Sequence, residues 1–139
     1  MNAPGGTLID SNVILDIVTE DERWLDWSLR ALAGAADSGP VFINPIIYAE
    51  VSVGFARIED LDDALRPNDF RRLELPWVAG FLAGKAFAAY RRNGGTRTSS
   101  LPDFYIGAHA AVGQLRLLTR DEARYRTYFP TVDLIAPSI

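Results

Sequence analysis

Cysteine is absent from the 139 residues and histidine occurs only once. The first absence excludes disulfides, thiol nucleophiles and thiolate zinc sites. The second excludes a multi-histidine zinc site or a paired-histidine nuclease within one chain. A Ser–His–Asp triad needs only one histidine, but no G-x-S-x-G elbow supports it. Long apolar runs are missing too. The longest, Pro76 to Tyr90, is interrupted by Lys85 and falls short of the ~20 residues that span a bilayer. The N-terminus, M-N-A-P-G-G-T-L-I-D, has neither the basic region nor the apolar run of a secretion signal. The expectation is a cytoplasmic protein with no membrane partner. Apolar residues make up 48% of the chain, enough for a single folded domain over residues 1–139.

Positive charge is scarce in one half only. Residues 1–70 hold four basic and thirteen acidic side chains, whereas residues 71–139 hold ten and five. The halves carry −9 and +5 within a net charge of −4. An overall acidic chain argues against a nucleic-acid partner, but this distribution suits an acidic site edged by a basic surface that attracts phosphate.

The order of elements reads as α/β. Thr7-Leu8-Ile9 and Val41-Phe42-Ile43 are short apolar strands, ending at Asp10 and at Asn44-Pro45. Asn44-Pro45 is a helix start, a capping residue followed by a first-turn proline. Apolar residues at helical spacing mark Glu20 to Asp37, and a helix from Pro45 carries Ile46, Ile47, Val51 and Phe55 with Glu50 inside it. Ile58 to Arg66 reads as a short acidic helix, and Pro76 opens a long helix to about Arg92. Phe70 to Leu75 fits either a strand or an extended linker. Ser100 and Pro102 start a further helix that Gly113 ends, and Leu115, Leu117 and Leu118 form a buried strand just before Asp121. A polar helix near Asp121–Phe129 and a last strand, Asp133 to Ala136, complete the chain.

In an open parallel sheet, a helix that precedes a strand starts at the edge where the strands finish, the edge at which such folds bind ligands. Asp103, in the first turn of its helix, should meet Asp10 and Asp121 there. Helical side chains lean towards their own N-terminus, so Glu50 reaches back to the same edge. Two unit charges ~4 Å apart repel by ~4 kcal/mol at an effective dielectric near 20. Four such carboxylates hold either protons or cations, and hard oxygen ligands select Mg²⁺ or Mn²⁺. A bound Mg²⁺ acidifies water and neutralises phosphate charge, chemistry suited to phosphodiester hydrolysis. Ser11, Asn12 and Thr119 lie beside the acids.

The motifs L-I-D-S-N-V-I-L-D, Y-A-E-V, P-D-F-Y-I-G-A-H-A and L-L-T-R-D occur in this order, followed by R-Y-R-T-Y-F-P-T-V-D-L-I-A-P. Together they resemble the PIN-domain family, in particular the VapC toxins of prokaryotic toxin–antitoxin pairs, over nearly the whole chain. The resemblance implies a three-layer α/β/α sandwich around a central, mainly parallel sheet. It implies a Mg²⁺-dependent endoribonuclease, with Mn²⁺ able to substitute, acting on structured RNA such as tRNA or rRNA loops. It further implies inhibition by a VapB-type antitoxin, and a homodimer. Asp10, Glu50, Asp103 and Asp121 match the family's metal-binding and catalytic acids, and Asn12 and Thr119 match supporting polar positions. The amphipathic helices Glu20–Asp37 and Pro45–Phe55 offer apolar surface to a partner.

Two other functions fit the same architecture. A Mg²⁺-dependent phosphatase of the haloacid-dehalogenase type needs a second aspartate two residues after its nucleophile, where this chain has Asn12. A non-catalytic PIN-like binding module would act through protein contacts alone. Asp16 is assigned to the surface or to a supporting position, and His109 to helix packing, since six residues of helix turn it away from Asp103. Trp24, Trp27 and Trp77 are read as core or interface residues. Arg116 and Arg120 face either RNA phosphates or the acidic half of the chain.

Overall fold

The computed structural model describes residues 6–97 and 101–137. Its centre is a five-stranded sheet of β1 (Thr7–Ile9), β2 (Val41–Ile43), β3 (Arg71–Arg72), β4 (Arg116–Leu118) and β5 (Leu134–Ile135). The spatial order is β3-β2-β1-β4-β5. Every neighbouring pair is parallel, so the sheet is parallel throughout. Strands buried on both faces read as continuous apolar runs rather than alternating ones. Leu8, Ile9, Leu117 and Leu118 are fully buried, and Ile43 nearly so.

Seven helices connect these strands among the described residues: α1 (Ser11–Val18), α2 (Leu25–Ser38), α3 (Pro45–Ser52), α4 (Ile58–Ala64), α5 (Trp77–Arg92), α6 (Pro102–Gly113) and α7 (Glu122–Tyr128). They pack in two groups that meet where α3 touches α6. In the first, α1 lies against α2 and α3, and α3 against α4. In the second, α5 lies along α6, and both touch α7. Right-handed crossovers set such groups on opposite faces of the sheet.

The chain moves outwards from β1 to β2 and β3, then crosses back to β4 and leaves in the other direction. The strand order therefore reverses between β1 and β4, the place where an open α/β sheet forms a crevice at its carboxyl edge.

Local chemistry sets the helix starts at that edge. The Asn44 side chain accepts the Ile47 N–H at 2.9 Å, ahead of Pro45 in the first turn of α3. Asp10 caps α1 through its own side chain. The serine proposed as the start of α6, Ser100, lies outside the described residues, and Leu101 is the residue at its cap. At the far end of α6 the left-handed residue is Gln114, with φ 54°, and Gly113 remains helical. Several expected elements are shorter than their sequence pattern, among them the last strand, which pairs only over Leu134–Ile135, and α4, which stops at Ala64. The segment before Leu25 makes turns rather than helix, α3 stops at Ser52 ahead of Phe55, and only Arg71–Arg72 of the Phe70–Leu75 stretch pairs as a strand.

Candidate active site

Asp10 follows β1 directly and is 2% exposed. Its Oδ1 accepts the Ser11 N–H at 2.7 Å. Its Oδ2 accepts the Thr119 hydroxyl at 2.8 Å, the Tyr125 hydroxyl at 2.9 Å and, more weakly, the Asn12 amide at 3.4 Å. None of these donors is a cation. Burial raises the carboxyl's pKa from 3.8 to about 6, the Thr119 bond holds it down, and repulsion from Asp103 and Glu50 adds to the rise.

Glu50 sits on α3, half-buried, and its Oε1 accepts the Ser11 hydroxyl at 2.8 Å. Its pKa is raised by burial first, with Asp103 contributing repulsion. Asp103 lies in the first turn of α6. Its Oδ1 shares the Tyr125 hydroxyl at 3.4 Å, and its Oδ2 pairs with Arg124 at 3.3 Å. Burial raises the Asp103 pKa, Arg124 opposes the rise, and the charge of Asp121 adds to it. Asp121 itself is exposed at the rim, its N–H donated to the Thr119 hydroxyl at 3.0 Å.

The two supporting residues link β1 to β4. Thr119 stands just past β4 and is fully buried. Asn12 donates to Thr119 at 3.4 Å, and its Oδ1 accepts the Arg120 N–H at 3.2 Å. Three of the four sequence-derived acids thus feel one another at the carboxyl edge of the sheet, and the fourth, Asp121, acts on Asp103 from the rim.

Among the described residues no three acidic or histidine side chains form a ready-made metal cage. The donor chemistry nevertheless fits a hydrated hard cation. Mg²⁺ keeps several waters and takes one or two carboxylates together with substrate phosphate, so it needs no full protein cage. Asp10 is buried without a countercharge, and a divalent cation beside it would supply one.

Sequence reasoning passed over Tyr125 and Arg124. Tyr125 is fully buried, and its hydroxyl bridges Asp10 and Asp103. Burial first, then the charges of Asp10 and Asp103, raise its own pKa well above 10.0. Its one sequence signal is its place four residues after Asp121, the spacing that sets two residues on one side of a helix.

Asp16 is not at the surface. It is 3% exposed and binds the Arg120 guanidinium through both oxygens, at 2.6 and 2.9 Å, and the Ser28 hydroxyl at 2.7 Å. Arg120 therefore faces the acidic half of the chain. His109 is packed in α6 as expected; the Asn44 amide donates to its Nδ1 at 3.0 Å, and burial lowers its pKa. Of the tryptophans, Trp77 is 97% exposed and belongs to no core.

A search of curated proteins finds no match to the sequence. Solved structures share the fold. VapBC2 from Rickettsia felis, bound to a promoter DNA fragment, aligns with a TM-score of 0.72 at 16% identity, over 95% of this chain and 98% of that one. VapBC-1 from nontypeable Haemophilus influenzae gives 0.71 at 16%, over 95% and 98%. A toxin–antitoxin complex from Klebsiella pneumoniae gives 0.54 at 22%, over 86% and 90%. The sequence model of the PIN domain matches residues 7–130, with Asp10, Glu50, Asp103 and Asp121 all inside the matched span, and the chain belongs to the PIN-domain family.

Proposed function

We propose that this PIN domain is the toxin of a toxin–antitoxin pair, a Mg²⁺-dependent endoribonuclease held in check by a VapB-type antitoxin. One observation carries the reading. Asp10, Glu50 and Asp103, drawn from three separate segments, meet at the sheet edge where the strand order reverses, and burial raises the pKa of each. A fold spends stability on such a cluster where the charges do chemistry. The solved relatives named above include VapBC and toxin–antitoxin complexes, which supports the partner class.

Asp10, Glu50, Asp103 and Asp121 would hold the ion, and Mn²⁺ would replace Mg²⁺. When bound, such an ion neutralises phosphate charge and acidifies water for attack on a phosphodiester. The chain's own part is orientation. Thr119, Tyr125 and the Ser11 N–H fix the Asp10 carboxylate, while the Ser11 hydroxyl turns Glu50 towards it. Asn12 ties this assembly to Thr119 and to the Arg120 backbone. In a phosphatase of the haloacid-dehalogenase type, position 12 would carry a catalytic acid. Here it is an amide engaged in holding the site, and the family match disfavours that alternative.

Association with an antitoxin and with a second copy of the chain is supported by apolar surface. Leu29 on α2 and Val53 after α3 are exposed, as expected for those helices, and Trp77 and Phe81 on α5 extend the supply.

The test is incubation of purified, antitoxin-free protein with total host RNA, with Mg²⁺ or Mn²⁺, with chelator, and beside Asp10→Asn. Discrete metal-dependent fragments that the variant does not produce are the expected result, and sequencing their ends names the RNA. Intact RNA in every lane, from protein shown to be folded, would favour the non-catalytic binding module.

A further inference from the structure

The carboxyl edge of the sheet extends beyond the acids. The registers Leu8↔Phe42 and Ile43↔Arg72 carry Asp10, Asn44 and Leu73 into one row along that edge, on β1, β2 and β3 in turn. The Leu73 N–H confirms the last step by donating to the Ile43 carbonyl at 3.0 Å. With strands about 4.8 Å apart, Leu73 stands about 10 Å along the edge from Asp10. A cavity of about 210 Å³ opens at this end of the row, and Ile43, Pro45, Leu73 and Glu74 are among its lining. A larger cavity of about 460 Å³, near Pro40 and Arg71, opens at the opposite end of the strands, away from the acids.

Tyr48 and Arg72 line the smaller cavity as a cation–π pair. The Arg72 guanidinium lies over the Tyr48 ring, 5.1 Å from its centroid. Asp62 holds both members, accepting the Tyr48 hydroxyl at 2.7 Å and Arg72 Nη2 at 2.9 Å. Nη2 also reaches the Leu65 carbonyl at 3.4 Å. Nε and Nη1 make no hydrogen bond among the described residues. The pair is thus fixed in orientation by one carboxylate while keeping donors for a guest.

We infer that this cavity is a nucleobase subsite, taking an unpaired base one nucleotide from the scissile phosphate, stacked on the Tyr48–Arg72 pair. Single-stranded RNA is recognised by splaying bases onto aromatic rings and guanidinium planes, and this platform is of that kind. The row from Asp10 to Leu73 spans the distance from a bound phosphate to the base of a neighbouring nucleotide. A free guanidinium edge beside the stack also suits the phosphate that joins them. The subsite rests on the nuclease reading and specifies how RNA would enter the site.

The test separates binding from cutting. Asp10→Asn serves as a non-cutting parent, and fluorescence anisotropy measures its affinity for 5′-labelled hexamers of rA, rC and rU. Tyr48→Leu keeps the apolar volume, and Arg72→Met keeps the stem of an exposed side chain, so folding is retained in the second even where the first disturbs it. Each should weaken the best hexamer about tenfold, the loss expected of one stacked base. Arg30→Met, which removes an exposed cation on α2, should leave affinity unchanged.

If both cavity variants bind every hexamer as the parent does, or if Arg30→Met costs as much as Arg72→Met, the subsite is overturned. In the first case, metal-dependent RNA cleavage by wild type leaves the nuclease reading standing. If wild type leaves RNA intact and the parent binds no hexamer, the nuclease reading has failed and the subsite with it.

Discussion

Asp10 and Asp16 lie six residues apart, one at each end of α1, and both are almost completely buried. Asp16 has a guanidinium clasped on both oxygens and a serine hydroxyl besides. Asp10 has an amide N–H, two hydroxyls and, at longer range, a side-chain amide, and two of its neighbours are themselves acids. One carboxylate is neutralised within the fold and the other is left for something outside it. The contrast separates a carboxylate that ties elements together from one that the fold leaves without a countercharge.

The sharpest way to break this comparison is to neutralise each acid in turn. Asp10→Asn should lower RNA cleavage about a thousandfold, in line with losing several kcal/mol of charge stabilisation, while the protein stays folded. A rate within a few-fold of wild type, measured on the RNA the protein cuts, would remove Asp10 from the reaction.

The next effect concerns pH. In the unfolded chain Asp10 loses its proton near 3.8, whereas in the folded chain it keeps it up to about 6. Between those values the folded state binds the extra proton. Its stability therefore falls as pH rises through that window, by about 3 kcal/mol in total for this group. Urea unfolding in chelator should show wild type losing stability relative to Asp10→Asn from pH 4 to 7, and Mn²⁺ should return much of the loss at pH 7. Parallel pH profiles for the two proteins would refute the assignment of burial without countercharge.

Neutralising the other acid should do the reverse. Asp16→Asn leaves Arg120 partly buried without its partner, and a loss of about 2 kcal/mol is expected, discounted because Arg120 remains 28% exposed. Cleavage per folded molecule should change less than tenfold. The smallest effect is expected at Trp24, whose ring lies 5.0 Å from the Arg120 guanidinium. Trp24→Leu should cost about 0.5–1 kcal/mol at neutral pH, read as a shift in the urea midpoint.

Much of this arrangement was legible from residue order. The apolar runs ending in Asp10, Asn44 and Thr119 marked the three central strands, because strands buried on both faces carry their own signal. The acids followed from the rule that helix starts and strand ends share an edge. The two-residue β3 lay below what alternation can resolve in Phe70–Leu75, since Arg71 and Arg72 are both exposed and look like loop. For Asp16 the surface alternative fails and the supporting one stands, for a different reason. Its burial depends on Arg120, 104 residues away, and no local pattern announces an ion pair across that separation. Tyr125 escaped notice because an aromatic in a polar helix normally reports packing, whereas its hydroxyl here is shared by two carboxylates.

The position of β4 has a consequence for how the protein comes into being. Synthesised from the N-terminus, β1 is made early but has only β2 beside it until residues 116–118 arrive to complete the sheet's middle. The same late segment brings Thr119 and Tyr125, the hydroxyls that orient Asp10 across sequence separations of 109 and 115 residues. Such long-range closure is slow to form. A nascent chain, or one cut short before β4, carries Asp10, Glu50 and Asp103 without the hydroxyls that orient Asp10, so the site is completed only with the finished fold.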